Sequence, residues 1–307
     1  AIDYFTHKPG VGEAVPRDLY EGEVPVERVG YYTQLLADEA SAWIGQQSQD
    51  KPFFLSLHFT APHWPWVGPE DEEVSRKLKD LFHYDGGNLA TYARMVRSLD
   101  AAVGQVLGQL KRHGLDDNTI VVFSSDNGGE RFAKTWPFTG QKTELLEGGL
   151  RVPTLLRWPA GVKPQVSEQV TISMDWLPTL LAAAGLSPHP NYVPDGENIL
   201  PVLQGQAPLH ERSLFWRYKA QAQRAVREGP YKYLKINEHE FLFDVVTDTL
   251  ERANLKDTLP EVFARLRRKW EDWNAQFIPI TDEVFTHGVT PDIQADRYRS
   301  ERNDRDV

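Results

Sequence analysis

The sequence has no cysteine among its 307 residues. Disulfides and thiolate metal sites are therefore excluded, while the compartment stays open. No stretch approaches the roughly 18 consecutive apolar residues of a membrane span. Positive charge is in deficit: 34 Lys and Arg against 44 Asp and Glu give a formal net charge of −10. A phosphate backbone calls for a basic face, so this balance argues against nucleic acid as a partner. There is no internal repeat and no low-complexity tract, and nothing in the pattern speaks to oligomeric state. No signal peptide precedes Ala1, and the first residue is not methionine, so we expect a processed N-terminus or a segment of a longer chain. What remains is ordinary globular composition, 40% hydrophobic and 25% charged, in a chain long enough to bury a substantial core.

The chain is organised around the stretch from Asn118 to Pro153. Ile120-Val121-Val122-Phe123 is a short β-branched run of the kind that lies buried inside a parallel sheet. It ends in Ser124-Ser125-Asp126-Asn127-Gly128-Gly129, which sets one carboxylate and one amide oxygen where strand gives way to turn. Ligands bind at that end of a strand in open α/β sheets. Two neighbouring oxygen donors suit a hard divalent cation, Ca²⁺ or Mg²⁺, better than zinc. Further on, Gly140-Gln141-Lys142 offers an ammonium group to an anion resting on that cation. Plainer readings stand beside these. Asp-Asn-Gly-Gly is a good turn sequence because Asn and Gly tolerate positive φ, and a loop lysine is usually a solvated charge.

A second candidate lies upstream. Phe53 to Phe59 reads as a buried strand running into Thr60-Ala61-Pro62-His63-Trp64-Pro65-Trp66. Pro62 and Pro65 restrict the backbone on both sides of His63 and hold its imidazole at the strand's end. A histidine there can donate a proton, or a hydrogen bond to an anion. The alternative is a rigid loop whose histidine bonds only to backbone. His58, inside the strand, reads as a core residue, and His7 as a surface one.

Three ordered motifs carry a resemblance: A-P-H-x-P at Ala61 to Pro65, S-D-N-G-G, and G-x-K-x-x-x-x-E-G-G-x-R-V-P from Gly140 to Pro153. Together they resemble the sulfatases, over about residues 3–277. The resemblance implies an α/β, alkaline-phosphatase-like fold: a mixed sheet flanked by helices, with a small C-terminal antiparallel sheet plus helix. It implies hydrolysis of small-molecule or glycan sulfate esters, with a divalent cation, usually Ca²⁺, and a formylglycine nucleophile made from Cys or Ser in C-x-P-x-R or S-x-P-x-R. Carried over by position, Asp126 and Asn127 match metal ligands. Lys142 and His63 match catalytic and substrate-binding contacts to the sulfate or the leaving oxygen. Trp64, Trp66 and Trp136 flank this proposed site and are candidates to stack on a sugar or aryl ring.

The sequence also departs from that pattern. It has no C-x-P-x-R and no S-x-P-x-R, and the family's early aspartate pair and G-K-W-H-x-G segment are missing. Calcium takes six to eight oxygens, so these residues alone are expected to bind it weakly and to hydrolyse nothing, the nucleophile lying outside the segment. Sheet strands would be missing too, leaving an edge that invites aggregation. Two other readings stay open: a phosphate or phosphonate monoester hydrolase of the same superfold, and a noncatalytic sulfated-glycan-binding or degenerate sulfatase.

The remaining pattern sets the expected elements. One helix runs from Glu27 to about Gln47. A longer one, capped by Asn88, runs to about His113, with Gly114 as a left-handed stop. Val152 to Trp158 reads as a strand, and residues 171–185 contain a helix with Asp175 as N-cap. Glu147 and Arg151 are expected to form a salt bridge bracing their loop. Short alternating runs at 214–218, 223–227, 231–236 and 241–244 predict an antiparallel sheet, followed by an amphipathic helix from Pro260 to Phe277. The expected division is 1–207 as the C-terminal portion of the catalytic α/β domain, 208–280 as the small subdomain, and 281–307 as a polar tail.

Overall fold

A computed structural model describes residues 2–83 and 86–279, and the expected tail at 281–307 lies outside the described residues. The chain divides into two compact units, one ending at Thr119 and one beginning at Ile120.

The first unit opens with two short antiparallel strands, β1 (Tyr20–Glu21) and β2 (Val24–Pro25). Three helices follow: α1 (Tyr32–Ile44), the single turn α2 (Glu72–Ser75) and α3 (Leu89–Arg112). The long helix forms where its signals predict. The Asn88 side chain accepts from the Thr91 N–H at 2.9 Å. At the other end Gly114 sits at φ 64°, and the Leu115 N–H reaches back to the Leu110 carbonyl at 2.9 Å. That bond closes the helix as a left-handed C-terminal cap does. The helices α1 and α3 pack together through small buried residues, Ala37 and Ala40 on one and Ala102 on the other, beside Met95. Gln105 ties them polarly, donating to Asp38 at 2.8 Å and Ser41 at 3.2 Å.

Three expectations fail in this unit. Residues 53–59 form no ladder among the described residues. Their burial alternates instead, with Phe53, Leu55, Leu57 and Phe59 half-buried and Phe54, Ser56 and His58 exposed. His58 is therefore not a core residue; its Nε2 meets the Ser56 hydroxyl at 2.7 Å. His7 is not on the surface: it is fully buried, with Nε2 3.0 Å from the Gly30 carbonyl. Burial pulls its pKa down from the ordinary histidine value because a low-dielectric site disfavours the charged ring.

The second unit begins with β3 (Val121–Ser124), which pairs antiparallel with β4 (Thr154–Arg157). This corrects the expected buried strand of a parallel sheet, since Phe123 and Leu155 are exposed and no parallel pair occurs among the described residues. An apolar run announces a strand but not its neighbours. Between the two strands lies the single turn α4 (Glu147–Leu150). After them come α5 (Trp176–Ala183) and α6 (Leu200–Leu203).

The C-terminal part forms as its alternation predicts. Strands β5 (Ser213–Tyr218), β6 (Gln223–Glu228), β7 (Tyr231–Ile236) and β8 (His239–Asp244) make one antiparallel sheet in sequence order. Helix α7 (Pro260–Asn274) covers one face, burying Leu266 and Trp270 against Val226, Tyr233 and Leu242. The opposite face, with Ala225, Leu234 and Phe243, is covered by Leu145, Leu146 and Leu150. The segment that follows Lys142 is thus itself a layer of this packing. It is held by apolar burial worth about 25 cal/mol per Å².

Candidate functional site

The turn after β3 carries Asp126, exposed, and Asn127, half-buried. The Ser125 hydroxyl donates to the Asn127 carbonyl at 3.1 Å, and the Gly128 N–H donates to the Gly149 carbonyl at 2.9 Å. The reason for glycine here is not the one its sequence suggested. Neither Asn127 nor Gly128 nor Gly129 has a positive φ. A Cβ on Gly128 would instead lie 1.8 Å from the Gly148 carbonyl oxygen, and one on Gly148 would lie 2.2 Å from the Gly140 oxygen. At Gly128, Gly148 and Gly149 backbone lies against backbone, while a Cβ on Gly129 would meet the Ala133 side chain at 2.4 Å.

Lys142 joins the same frame. Its N–H donates to the Gly129 carbonyl at 2.9 Å, and its ammonium group stands 3.5 Å from Glu130. The structure therefore brings Asp126, Asn127 and Lys142 onto adjoining loops, and adds Glu130, which sequence reasoning did not single out.

Behind this loop lies a buried cluster of charge. Lys232 of β7, fully buried, donates to the Leu145 carbonyl at 3.0 Å and to Glu147 at 2.9 Å, and pairs with Glu251 at 2.6 Å. Glu251 also accepts the Glu147 N–H at 2.7 Å, while Arg227 stands 3.5 Å from Glu147. Burial raises the Glu251 carboxyl above its ordinary range, against the pull of the Lys232 ammonium. Glu147 thus does brace the loop, but with Lys232 and Arg227 as partners rather than Arg151, whose guanidinium lies over the Phe138 ring at 4.7 Å. A signal for Lys232 existed: strand alternation puts it on the same face as Leu234, the inward one.

His63 belongs to the first unit. Its Nδ1–H donates to the Trp64 carbonyl at 2.9 Å, an arrangement that makes Nε2 the nitrogen for proton exchange. The Tyr4 hydroxyl donates to the His63 carbonyl at 2.9 Å, and the His63 N–H to Thr60 at 2.8 Å. Of the three tryptophans singled out, Trp66 is buried and Trp64 stacks on Phe82 at 4.4 Å. Trp136 alone of the three is largely in solvent, 77% exposed. Asp175, expected as an N-cap, is buried and gripped by Arg212 at 2.6 and 2.9 Å. It also accepts the N–H groups of Ile172 and Glu197.

As metal donors, Asp126 and Asn127 offer the hard oxygens that Ca²⁺ or Mg²⁺ takes, though only two of the six to eight that calcium prefers. Among the described residues, no group of three or more His, Asp or Glu is placed to hold a metal ion. The pair fits such a cation in kind and falls short in number.

Residues 2–186 match the family described as Sulfatase, and residues 140–276 match that described as N-sulphoglucosamine sulphohydrolase, C-terminal. The human N-acetylgalactosamine-6-sulfatase is 34% identical over 228 residues, covering 72% of this chain and 40% of that protein. An uncharacterized sulfatase of Schizosaccharomyces pombe is 26% identical over 380 residues, covering 89% of this chain and 68% of the relative. The chain thus spans about two fifths of the length of the N-acetylgalactosamine-6-sulfatases it matches. Among solved structures, Ps i-CgsB in complex with k-i-k-neocarrahexaose superposes with a TM-score of 0.70 at 26% identity, covering 92% of this chain and 63% of that one. No helix among the described residues is long and apolar enough to cross a membrane.

Proposed function

The chain belongs to the sulfatase family, and from that premise we propose that it is part of a hydrolase of sulfate esters whose anion site is built on the Asp126–Lys142 loops. The observation that carries the reading is the backbone lock between them. The bonds Gly128 to Gly149 and Lys142 to Gly129 hold an oxygen-donor pair and an ammonium group in one frame. Asp126 and Asn127 would hold the divalent cation, which when bound supplies Lewis-acid polarisation of the sulfate oxygens. Lys142 offsets the negative charge of the ester, and does so at no cost of reorganisation because its loop is preformed. Glu130 keeps the Lys142 side chain oriented. His63, assigned by its place in the A-P-H-x-P motif, gives a proton from Nε2 to the departing alkoxide, while the Trp64 carbonyl fixes its tautomer.

The nucleophile is not supplied by these residues. With no cysteine and no S-x-P-x-R in the sequence, the formylglycine that the family uses lies outside the 307 residues. The substrate is a small-molecule or glycan sulfate ester, the glycan reading being supported by the sugar bound to Ps i-CgsB. The test is release of inorganic sulfate from aryl and sugar sulfates by the natural polypeptide that carries these residues. Lys142→Ala is expected to lower kcat/KM by about 100-fold or more, the scale at which one preorganised donor counts. Preference for phosphate or phosphonate monoesters would move the assignment to the related chemistry. Turnover by the 307 residues alone would overturn the placement of the nucleophile.

A further inference from the structure

The loop that carries Lys142 has bonds of its own, from the Gly148 N–H to Thr139 and from the Glu144 N–H to Gln141, and is fastened as well to the C-terminal sheet. From one end to the other, the Thr139 hydroxyl donates to the Leu250 carbonyl at 2.7 Å, Gln223 of β6 donates to the Thr143 carbonyl at 3.0 Å, and the Leu145 N–H donates back to Gln223 at 2.8 Å. Lys232 takes the Leu145 carbonyl, Glu147 and Glu251 together. Lys142 lies inside this span, its N–H on Gly129. A fully buried lysine is costly unless its charge is matched and its protons are bonded. Here two carboxylates, Glu147 and Glu251, face two cations, Lys232 and Arg227, so the cluster is formally neutral.

We propose that Lys232 is a positioning residue: by joining the Leu145 carbonyl to Glu147 and Glu251, it sets the loop from which Lys142 meets the sulfate group. This rests on the reading of Lys142 as a sulfate contact. It gives the C-terminal sheet a part in anion binding although none of its residues touches the anion. Two of the three bonds from Lys232 end within five residues of Lys142, on Leu145 and Glu147, so losing them frees the segment where its placement matters. A shift of about 1 Å at such a group can cost on the order of 100-fold.

The test uses the natural polypeptide that carries these residues, as wild type, Lys142→Ala, Lys232→Met and Lys232→Met/Glu251→Gln. Three readouts are taken: thermal midpoint, amide hydrogen exchange over residues 139–147, and protection of Lys142 from acetylation by inorganic sulfate with Ca²⁺ present. Lys232→Met leaves an unmatched buried carboxylate and should lower the midpoint, so the double variant, in which the charges again balance, carries the decision. It is expected to regain most of the midpoint, yet to exchange roughly tenfold faster in 139–147 and to need about tenfold more sulfate or beyond for protection. Recovery of exchange and protection together with stability would reduce Lys232 to charge balance and overturn the proposal. Unchanged exchange in a folded Lys232→Met would also overturn it. If sulfate fails to protect Lys142 in the wild type while exchange still depends on Lys232, the anion-site reading itself falls, and the positioning role with it.

Discussion

Gly128 carries the tightest local constraint beside Asp126. Because a methyl group there would meet the Gly148 carbonyl at 1.8 Å, and both neighbours are backbone, relief requires moving one loop off the other. Gly128→Ala is therefore expected to destabilise the protein by about 1–3 kcal/mol, the range for overpacking, and to weaken sulfate protection of Lys142 as the two loops part. Gly104 supplies the contrast: it lies in α3 with nothing within 4 Å of an added Cβ. Gly104→Ala should stabilise by up to about 1 kcal/mol, through helix propensity alone. Thermal denaturation of the two variants side by side checks both signs. At this scale the donor chemistry of Asp126, Asn127 and Lys142 was legible, because residue type carries it. The cause of the glycines was not, since a letter that permits positive φ also permits close approach. Lys232 was legible only in part: its inward face follows from alternation, but its partners Glu147 and Glu251 come from distant segments.

Elements whose signals are local were read with close boundaries. The Asn88 cap and the Gly114 stop both act within one turn of α3, and the tight connections of β5 to β8 fix their register by proximity in sequence. Residues 53–59 form no ladder among the described residues, and β3 forms where expected but with an antiparallel partner, because a strand's neighbours are non-local information, and a run of Phe, Leu and Val reads alike whether one face is covered or two. The contact between α7 and the sheet contains a carboxylate whose titration can be followed. Glu228 on β6 accepts from the Ser213 hydroxyl at 2.8 Å and meets Lys269 and Arg265 of α7. Burial alone would raise its pKa, but the bonds from Lys269, Ser213 and Arg265 outweigh it and bring the group to about 2 from 4.5. A carboxyl depressed on folding adds stability that is fully present above its unfolded value and is lost as pH falls through the folded one. The helix–sheet contact should therefore weaken between about pH 4.5 and pH 2. Urea midpoints at neutral pH and near pH 3 are expected to converge in Glu228→Gln relative to wild type. An equal drop in both proteins would place the acid sensitivity elsewhere.

For the whole molecule, two opposing terms decide whether copies associate. The strands β3 and β4 pair only with each other among the described residues, so each offers an edge, and Leu155, 64% exposed, stands on that ladder with Phe123 beside it. Unpaired strand edges with apolar side chains template pairing between chains. Against this works a formal net charge of −10 on every copy, which repels at long range and is screened over about 30 Å at 0.01 M salt but only about 3 Å at 1 M. Association is therefore expected to rise with ionic strength, the reverse of what ion pairs between copies would produce. Light scattering across that range should show mass growing with salt in the wild type. Leu155→Lys should suppress the growth at little cost to folding, because the side chain is already largely in water and lysine on an edge disfavours pairing. A mass independent of salt, or growth undiminished by the lysine, would show that these edges are not where copies of the chain meet.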